Sequence, residues 1–93
     1  MAGSWRGKKP IQRNAILALA HFRDRSAVSG LVRLLRDDPR PVIRGTAAWA
    51  LGKIGGDEAK EALLEAKEKE TDPDVLREID KGLEFFAGDP VVS

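Results

Sequence analysis

The sequence contains no cysteine, and this absence excludes several kinds of site. Without thiols the chain cannot form disulfides, a zinc site or an iron–sulfur cluster ligated by cysteine, and it has no cysteine nucleophile. Its single histidine, His21, has no partner residue at the spacing of a metal site or a catalytic base. We therefore predict a non-enzymatic chain with no catalytic residue, no metal ligand and no cofactor, and an exposed His21.

The sequence also lacks any long apolar run. No stretch approaches the roughly 20 apolar residues that span a bilayer, and the small, polar and basic N-terminal residues do not form a signal peptide. We therefore expect a cytoplasmic protein without a membrane partner. A length of 93 residues predicts a single domain.

Charge is plentiful but unevenly distributed. Residues 1–56 contain 11 Lys and Arg against 3 Asp and Glu, a net charge of +8, whereas residues 57–93 contain 5 against 12, a net charge of −7. The basic half suggests an anionic partner. The alternative is a charge dipole that only favours solubility, and the charge pattern alone does not separate the two.

The clearest helix signal in the chain covers residues 41–54. Asp38, Pro39 and Pro41 precede it, and proline fits the first turn of a helix, where its missing N–H has no intrahelical partner. Gly55 and Gly56 follow it, and glycine adopts the left-handed conformation that ends many helices. At helical spacing, one face carries Ile43, Ala47, Ala50, Leu51 and Ile54.

The same face recurs at a period of 32 residues. Upstream it comprises Ile11, Ala15, Ala18, Leu19 and Phe22, and downstream it comprises Val75, Ile79, Gly82, Leu83 and Phe86. A fixed period with two helices per unit is typical of a helical solenoid. We predict an all-α, short, right-handed α-solenoid of five helices, with the following residues buried: Ala18, Leu19, Ala47, Ala50, Leu51 and Leu83.

The predicted helices form two pairs and a C-terminal capping helix. Their predicted ranges are 10–22, 27–36, 41–54, 58–70 and 74–86. Ser26, Asp57 and Asp72 are the expected N-caps of the second, fourth and fifth helices. Residues 1–9 form a predicted linker, residues 10–87 the repeat domain and residues 88–93 a flexible tail.

Three apolar side chains lie outside the repeated apolar face. Trp5 lies in the linker, where it either caps the end of the core or contacts a neighbouring domain or a base. Trp49 points about 200° away from Ala47, and Leu17 is its equivalent in the preceding repeat. We predict that Trp5, Leu17 and Trp49 form a domain-docking surface. The alternative is that neighbouring helices cover Leu17 and Trp49 laterally.

The periodic segments resemble two kinds of known protein. VIRGTAAWALGKIGG resembles the HEAT-like repeats of the phycocyanobilin-lyase type. SWRGKKPIQRNAILALAHF followed by DPRPVIRGTAAWALGKIG is similar to the C-terminal region of the epoxyqueuosine reductase family. In that family the region follows a catalytic part that uses cobalamin and two iron–sulfur clusters to reduce epoxyqueuosine in tRNA. This chain has no cysteine for such clusters, so the resemblance implies a non-catalytic part of such an enzyme.

The resemblance implies two partners, the tRNA anticodon stem-loop and the catalytic part of the parent enzyme, but no DNA. The basic half agrees with an RNA contact, since Lys8 and Arg40 occupy equivalent positions before helices one and three. The predicted RNA-binding residues are the cations Arg6, Lys8, Lys9, Arg13, Arg33, Arg36, Arg40 and Arg44. The alternative function is a protein–protein interaction scaffold.

Overall fold

The structure, a computed structural model, describes residues 12–87, which fold into five α-helices. They are α1 (Arg13–His21), α2 (Val28–Asp37), α3 (Pro41–Ile54), α4 (Asp57–Lys69) and α5 (Pro73–Ala87), and a 3₁₀ turn, Arg25–Ala27, leads into α2. No strand occurs in this range. The predicted all-α solenoid is confirmed. The predicted linker, residues 1–9, and the predicted tail, residues 88–93, lie outside the described residues.

Local sequence signals set the boundaries of α3 and the start of α5. Pro41 is the first residue of α3, and Gly55 and Gly56 adopt positive φ angles of 84° and 99° after its last turn. At α5, the Asp72 carboxylate accepts hydrogen bonds from the backbone N–H groups of Asp74 and Val75 at 2.8 and 3.3 Å. The predicted capping role of Asp72 is therefore confirmed, because its carboxylate satisfies N–H groups that have no intrahelical partner.

Two predicted N-caps are wrong. Ser26 lies inside the 3₁₀ turn and donates its backbone N–H to the Asp24 carboxylate, which caps this turn instead. The charged carboxylate is the stronger acceptor and lies two residues upstream, so the chain begins to coil earlier than the serine suggests. Asp57 is the first residue of α4, and Gly56 occupies the N-cap position.

Helix α3 is the centre of the stack. It packs against the four other helices, and its largest contact is with α5. Its side chains are buried on almost every side, including Ala47, Ala48, Ala50 and Leu51, which have no exposed surface. Small side chains all round the helix let neighbours approach closely from several directions. A solenoid core builds in this way, from each repeat to the next.

The repeat face is not buried in α1, and the prediction for Ala18 is wrong. Ala18 is exposed and Leu19 only partly buried, whereas Ile16 and Ala20 are fully buried. Leu83 is likewise only partly buried. Ala50, the equivalent of Ala18, lies in a helix that has neighbours on both sides. Among the described residues α1 packs mainly on α3, so its buried stripe is the one turned toward α3.

Helices α3 and α5 cross at two glycines. A Cβ atom built on Gly52 would lie 2.5 Å from the Gly82 Cα and 2.6 Å from its carbonyl oxygen. A Cβ on Gly82 would lie 2.7 Å from the Ala48 carbonyl oxygen. The backbones therefore meet at a distance that only glycine permits at either position.

In the described part of the chain, no helix is long and apolar enough to cross a membrane.

Candidate nucleic-acid interface

One surface of the stack carries a groove of about 860 Å³ along the N-terminal parts of α1, α3 and α5. The lining residues of the three helices lie at the same level along their helix axes, because the helices are equivalent elements of successive repeats. Leu17, Trp49 and Lys81 are related by the 32-residue period, and all three line the groove. The predicted docking residues Leu17 and Trp49 are thus brought together by the fold.

Leu17 and Trp49, the two predicted docking residues in the groove, are partly buried and not fully exposed. Trp49 packs against the edge of the hydrophobic core, and Leu17 has a similar intermediate exposure. Val42, which also lines the groove, is 61% exposed. Neighbouring helices therefore cover Trp49 in part, and the groove also contains exposed apolar surface.

The polar rim of the groove is mixed in charge. On α5, Arg77 pairs with Asp74 at 3.2 Å and Lys81 with Glu78 at 3.6 Å, so four rim charges compensate one another. On α1, Arg13 lines the same groove, and it forms no ion pair with another residue of the 12–87 segment. Arg77 and Lys81 were not among the predicted site residues, although their register with Arg13 and Trp49 in the 32-residue repeat was sufficient to place them here.

The two cationic side chains of α2 lie outside the hydrophobic core. Arg33 and Arg36 are exposed, and neither pairs with a carboxylate of the described residues. Arg36 lies in the last turn of α2, next to the turn that leads into α3. It lines a second hollow of about 510 Å³ with Lys69, at the end of α4, and four carboxylates line the same hollow: Asp37, Asp38, Glu65 and Glu70. Arg13, Arg33 and Arg36 are therefore exposed to solvent.

Arg40 forms an ion pair with Asp38 within the turn that precedes α3. Its backbone N–H and its guanidinium both donate to the Asp38 carboxylate, with the shortest contact at 2.7 Å. These guanidinium hydrogen bonds are the main reason that the pKa of the Asp38 carboxyl lies below its ordinary value. The Arg40 side chain, at the start of α3, nevertheless remains more than a third exposed.

Arg44 links the turn before α3 to the turn after α4 through hydrogen bonds. Its guanidinium donates to both carboxylate oxygens of Glu70 at 3.0 Å, and to the Asp38 carbonyl at 3.0 Å. The Arg44 and Glu70 side chains are only 17% and 8% exposed. Burial opposes ionisation of Glu70, but the Arg44 hydrogen bonds and a backbone N–H outweigh it, so the pKa of Glu70 is lowered. This geometry makes Arg44 a structural cation.

The remaining predicted contacts are not placed. Trp5, Arg6, Lys8 and Lys9 lie outside the described residues. His21 is exposed, as predicted, and its ring contacts the Phe22 ring edge-on at a centroid distance of 5.1 Å. Within residues 12–87, no three His, Asp or Glu side chains are grouped so that they could hold a metal ion.

Comparison with known protein families gives a match over most of the chain. The model that describes HEAT repeats matches residues 6–84. The chain belongs to the HEAT repeat family. The two-helix repeats described above lie within the matched residues.

Individual relatives carry the comparison further. The chain is 64% identical over 87 residues to epoxyqueuosine reductase of Bacillus cereus, and 64% identical over 86 residues to that of Bacillus subtilis. These matches cover 94% and 92% of the chain but only 23% and 22% of the relatives, so the chain spans less than a quarter of their length. The resemblance to part of the epoxyqueuosine reductase family is thus confirmed.

Solved structures agree with the sequence relatives. One is a crystal structure of epoxyqueuosine reductase with a stem-loop of epoxyqueuosine-modified tRNA-Tyr. It matches with a TM-score of 0.79 and 63% identity, over 92% of this chain and 23% of that one. Another, of selenomethionine-labelled epoxyqueuosine reductase, matches with a TM-score of 0.78 and 64% identity. At this identity the helices described above superimpose on a segment of those enzymes.

Proposed function

We propose that this chain is a non-catalytic HEAT-repeat domain of an epoxyqueuosine reductase and helps to bind the tRNA anticodon stem-loop. The observation that carries this proposal is the 63% identity to an enzyme crystallised with a tRNA stem-loop. The absence of cysteine and the single histidine favour an accessory role over a catalytic one. The proposed location is the C-terminal region of a cytoplasmic parent, whose catalytic part supplies the cobalamin and the iron–sulfur clusters.

The proposed RNA contact uses the cations that the fold leaves exposed. Arg13, Arg33 and Arg36 are in this position, and Arg6, Lys8 and Lys9 precede α1 in the chain. Arg40 offers the N–H groups that Asp38 does not use, beside the N-terminus of α3, where free backbone N–H groups favour phosphate. Arg44 supports this surface by fixing the turn before α3.

Binding to the tRNA-Tyr anticodon stem-loop tests the proposal. If the chain neutralises about four phosphates, the slope of log affinity against log salt should be roughly −3. Replacing Arg13, Arg33 and Arg36 together with glutamine should weaken binding and flatten the slope by about 2. The matched control replaces Lys60, Lys67 and Lys69, on acidic α4, with glutamine, and should change binding little. Equal binding by both triple variants would contradict a contact through these arginines.

The alternative function, in which a protein rather than RNA occupies this surface, is favoured by the groove that Leu17 and Trp49 share. Its apolar wall would dock the catalytic part of the parent, which in the relatives accounts for most of the chain. If so, Trp49 should be partly accessible in this chain and protected in the full-length enzyme.

Fluorescence quenching by acrylamide tests the docking surface. The measurement uses a Trp5→Phe variant, so that Trp49 is the reporter in this chain. We expect partial quenching here, because Trp49 is only partly buried. In a full-length enzyme from which the other tryptophans have been removed, we expect a clear loss of quenching. Equal quenching in both proteins would rule out docking at this groove.

A further inference from the structure

The ammonium group of Lys53 is held between two aromatic rings from neighbouring helices. Its Nζ lies 5.7 Å from the centre of the Trp49 ring on α3 and 5.8 Å from that of Phe85 on α5. Both distances are within the range of a cation–π interaction. Within residues 12–87, no carboxylate lies within 4 Å of this ammonium. The rings therefore restrict the side chain without neutralising its charge.

The fold positions this arrangement through the glycine crossing. Trp49 and Lys53 are four residues apart, so they share one face of α3. Phe85 reaches them because Gly52 lets α5 approach: a Cβ on Gly52 would lie 2.8 Å from Phe85 Cδ2. Lys53 and Phe85 also occupy equivalent positions of adjacent repeats, 32 residues apart. They therefore lie at the same level along the axes of α3 and α5. Phe85 remains 49% exposed, so the clamp is at the surface.

We propose that Lys53, clamped by Trp49 and Phe85, binds a backbone phosphate of the RNA. This inference rests on the proposed function and names a contact within it. Trp49, which contacts Lys53, also lines the groove that Arg13 lines. The acidic rim residues Asp74 and Glu78 are paired with Arg77 and Lys81. Among residues 12–87, neither Arg13 nor Lys53 has a carboxylate within 4 Å. Cations that no carboxylate engages can each pair with a phosphate of a nucleic-acid strand.

The clamp prepares Lys53 for this role. An exposed lysine ordinarily loses much rotamer freedom when it binds an anion. Between two rings, part of that loss occurs before the ligand arrives, and the three N–H donors are not used by a carboxylate of the described residues. Removal of the charge and removal of the clamp should therefore have different effects on RNA binding.

The experiment compares four variants of the whole chain with the tRNA-Tyr anticodon stem-loop as the probe. Lys53→Met should weaken binding about three- to tenfold at low salt and reduce the magnitude of the salt slope by about 0.7–0.9, the value of one phosphate contact. Lys53→Arg should restore both, since arginine keeps the charge and stacks on aromatic rings. Phe85→Leu should weaken binding about two- to fivefold and leave the slope unchanged. Lys60→Met, on the acidic face, is the control and should match the unaltered chain.

Each outcome decides a separate point. If the unaltered chain binds and Lys53→Met behaves like Lys60→Met, the phosphate contact at Lys53 is overturned while the proposed function stands. If Lys53→Arg fails to restore the slope, the charge is not what the RNA recognises, and the assignment also falls. If the unaltered chain shows no salt-dependent binding to the stem-loop, both the contact and the proposed function fail. Circular dichroism and thermal melts of each variant separate these outcomes from unfolding.

Discussion

Replacing Gly52 with alanine is expected to destabilise the domain by about 2–3 kcal/mol, even though alanine is the better helix former. The added methyl group would lie 2.5 Å from the Gly82 Cα and 2.6 Å from its carbonyl oxygen, and backbone atoms cannot rotate aside. Helices α3 and α5 must therefore separate, and their contact is the largest in the fold. For a domain of this size, the melting temperature should fall by roughly 8–24 °C.

Gly30 provides a matched control on α2. It is also a helical glycine, but no atom lies within 4 Å of a Cβ built there. Gly30→Ala should therefore stabilise the domain by about 0.5–1 kcal/mol through helix propensity alone. Gly82→Ala should resemble Gly52→Ala, because its Cβ would lie 2.7 Å from the Ala48 carbonyl oxygen. A thermal melt in which Gly52→Ala and Gly30→Ala shift in the same direction would contradict the close crossing of α3 and α5.

Replacing Arg44 with methionine is expected to cost about 2–3 kcal/mol of stability at neutral pH. The substitution removes two hydrogen bonds to Glu70 and one to the Asp38 carbonyl. It also leaves the carboxylate of Glu70, which is 8% exposed, without its cation. Urea unfolding at pH 7 measures the loss. Lys69→Met is the control, because the Lys69–Glu65 pair is exposed on both sides and should contribute less than about 0.5 kcal/mol.

The pH dependence gives this prediction a second readout. In the folded chain the pKa of Glu70 is lowered from its ordinary value of 4.5, so its stabilising effect is present above that value and is lost as the pH falls through the folded pKa. In Arg44→Met, burial without the cation should raise the pKa of Glu70. Protonation then relieves the unpaired charge, so the stability difference from the unaltered chain should narrow between pH 7 and pH 4. A difference that stays constant over this range would show that Glu70 and Arg44 are not coupled.

The amino-acid sequence by itself determined the helical repeat and several of its boundaries. Helix α3 covers residues 41–54 as predicted, because proline at its start and two glycines at its end act on the local backbone. The Asp72 cap was predictable for the same reason, since the N–H groups it accepts are two and three residues away. The 32-residue period then predicted the solenoid, because equivalent apolar faces must stack on one another.

Other properties depended on which helices are neighbours, and only the tertiary structure decided them. Ala18 and Ala50 are equivalent in sequence, yet one is exposed and the other fully buried. Among residues 12–87, α3 has helices around it whereas α1 packs mainly against α3. Arg44 was predicted to bind RNA as one of several cations, but Glu70, 26 residues away, engages it. The charge of Lys53 acquired its aromatic clamp only when the crossing of α3 and α5 at two glycines brought Phe85 beside Trp49. Burial, pairing and preorganisation are properties of contacts between distant residues, and a repeat period does not encode them for any single copy.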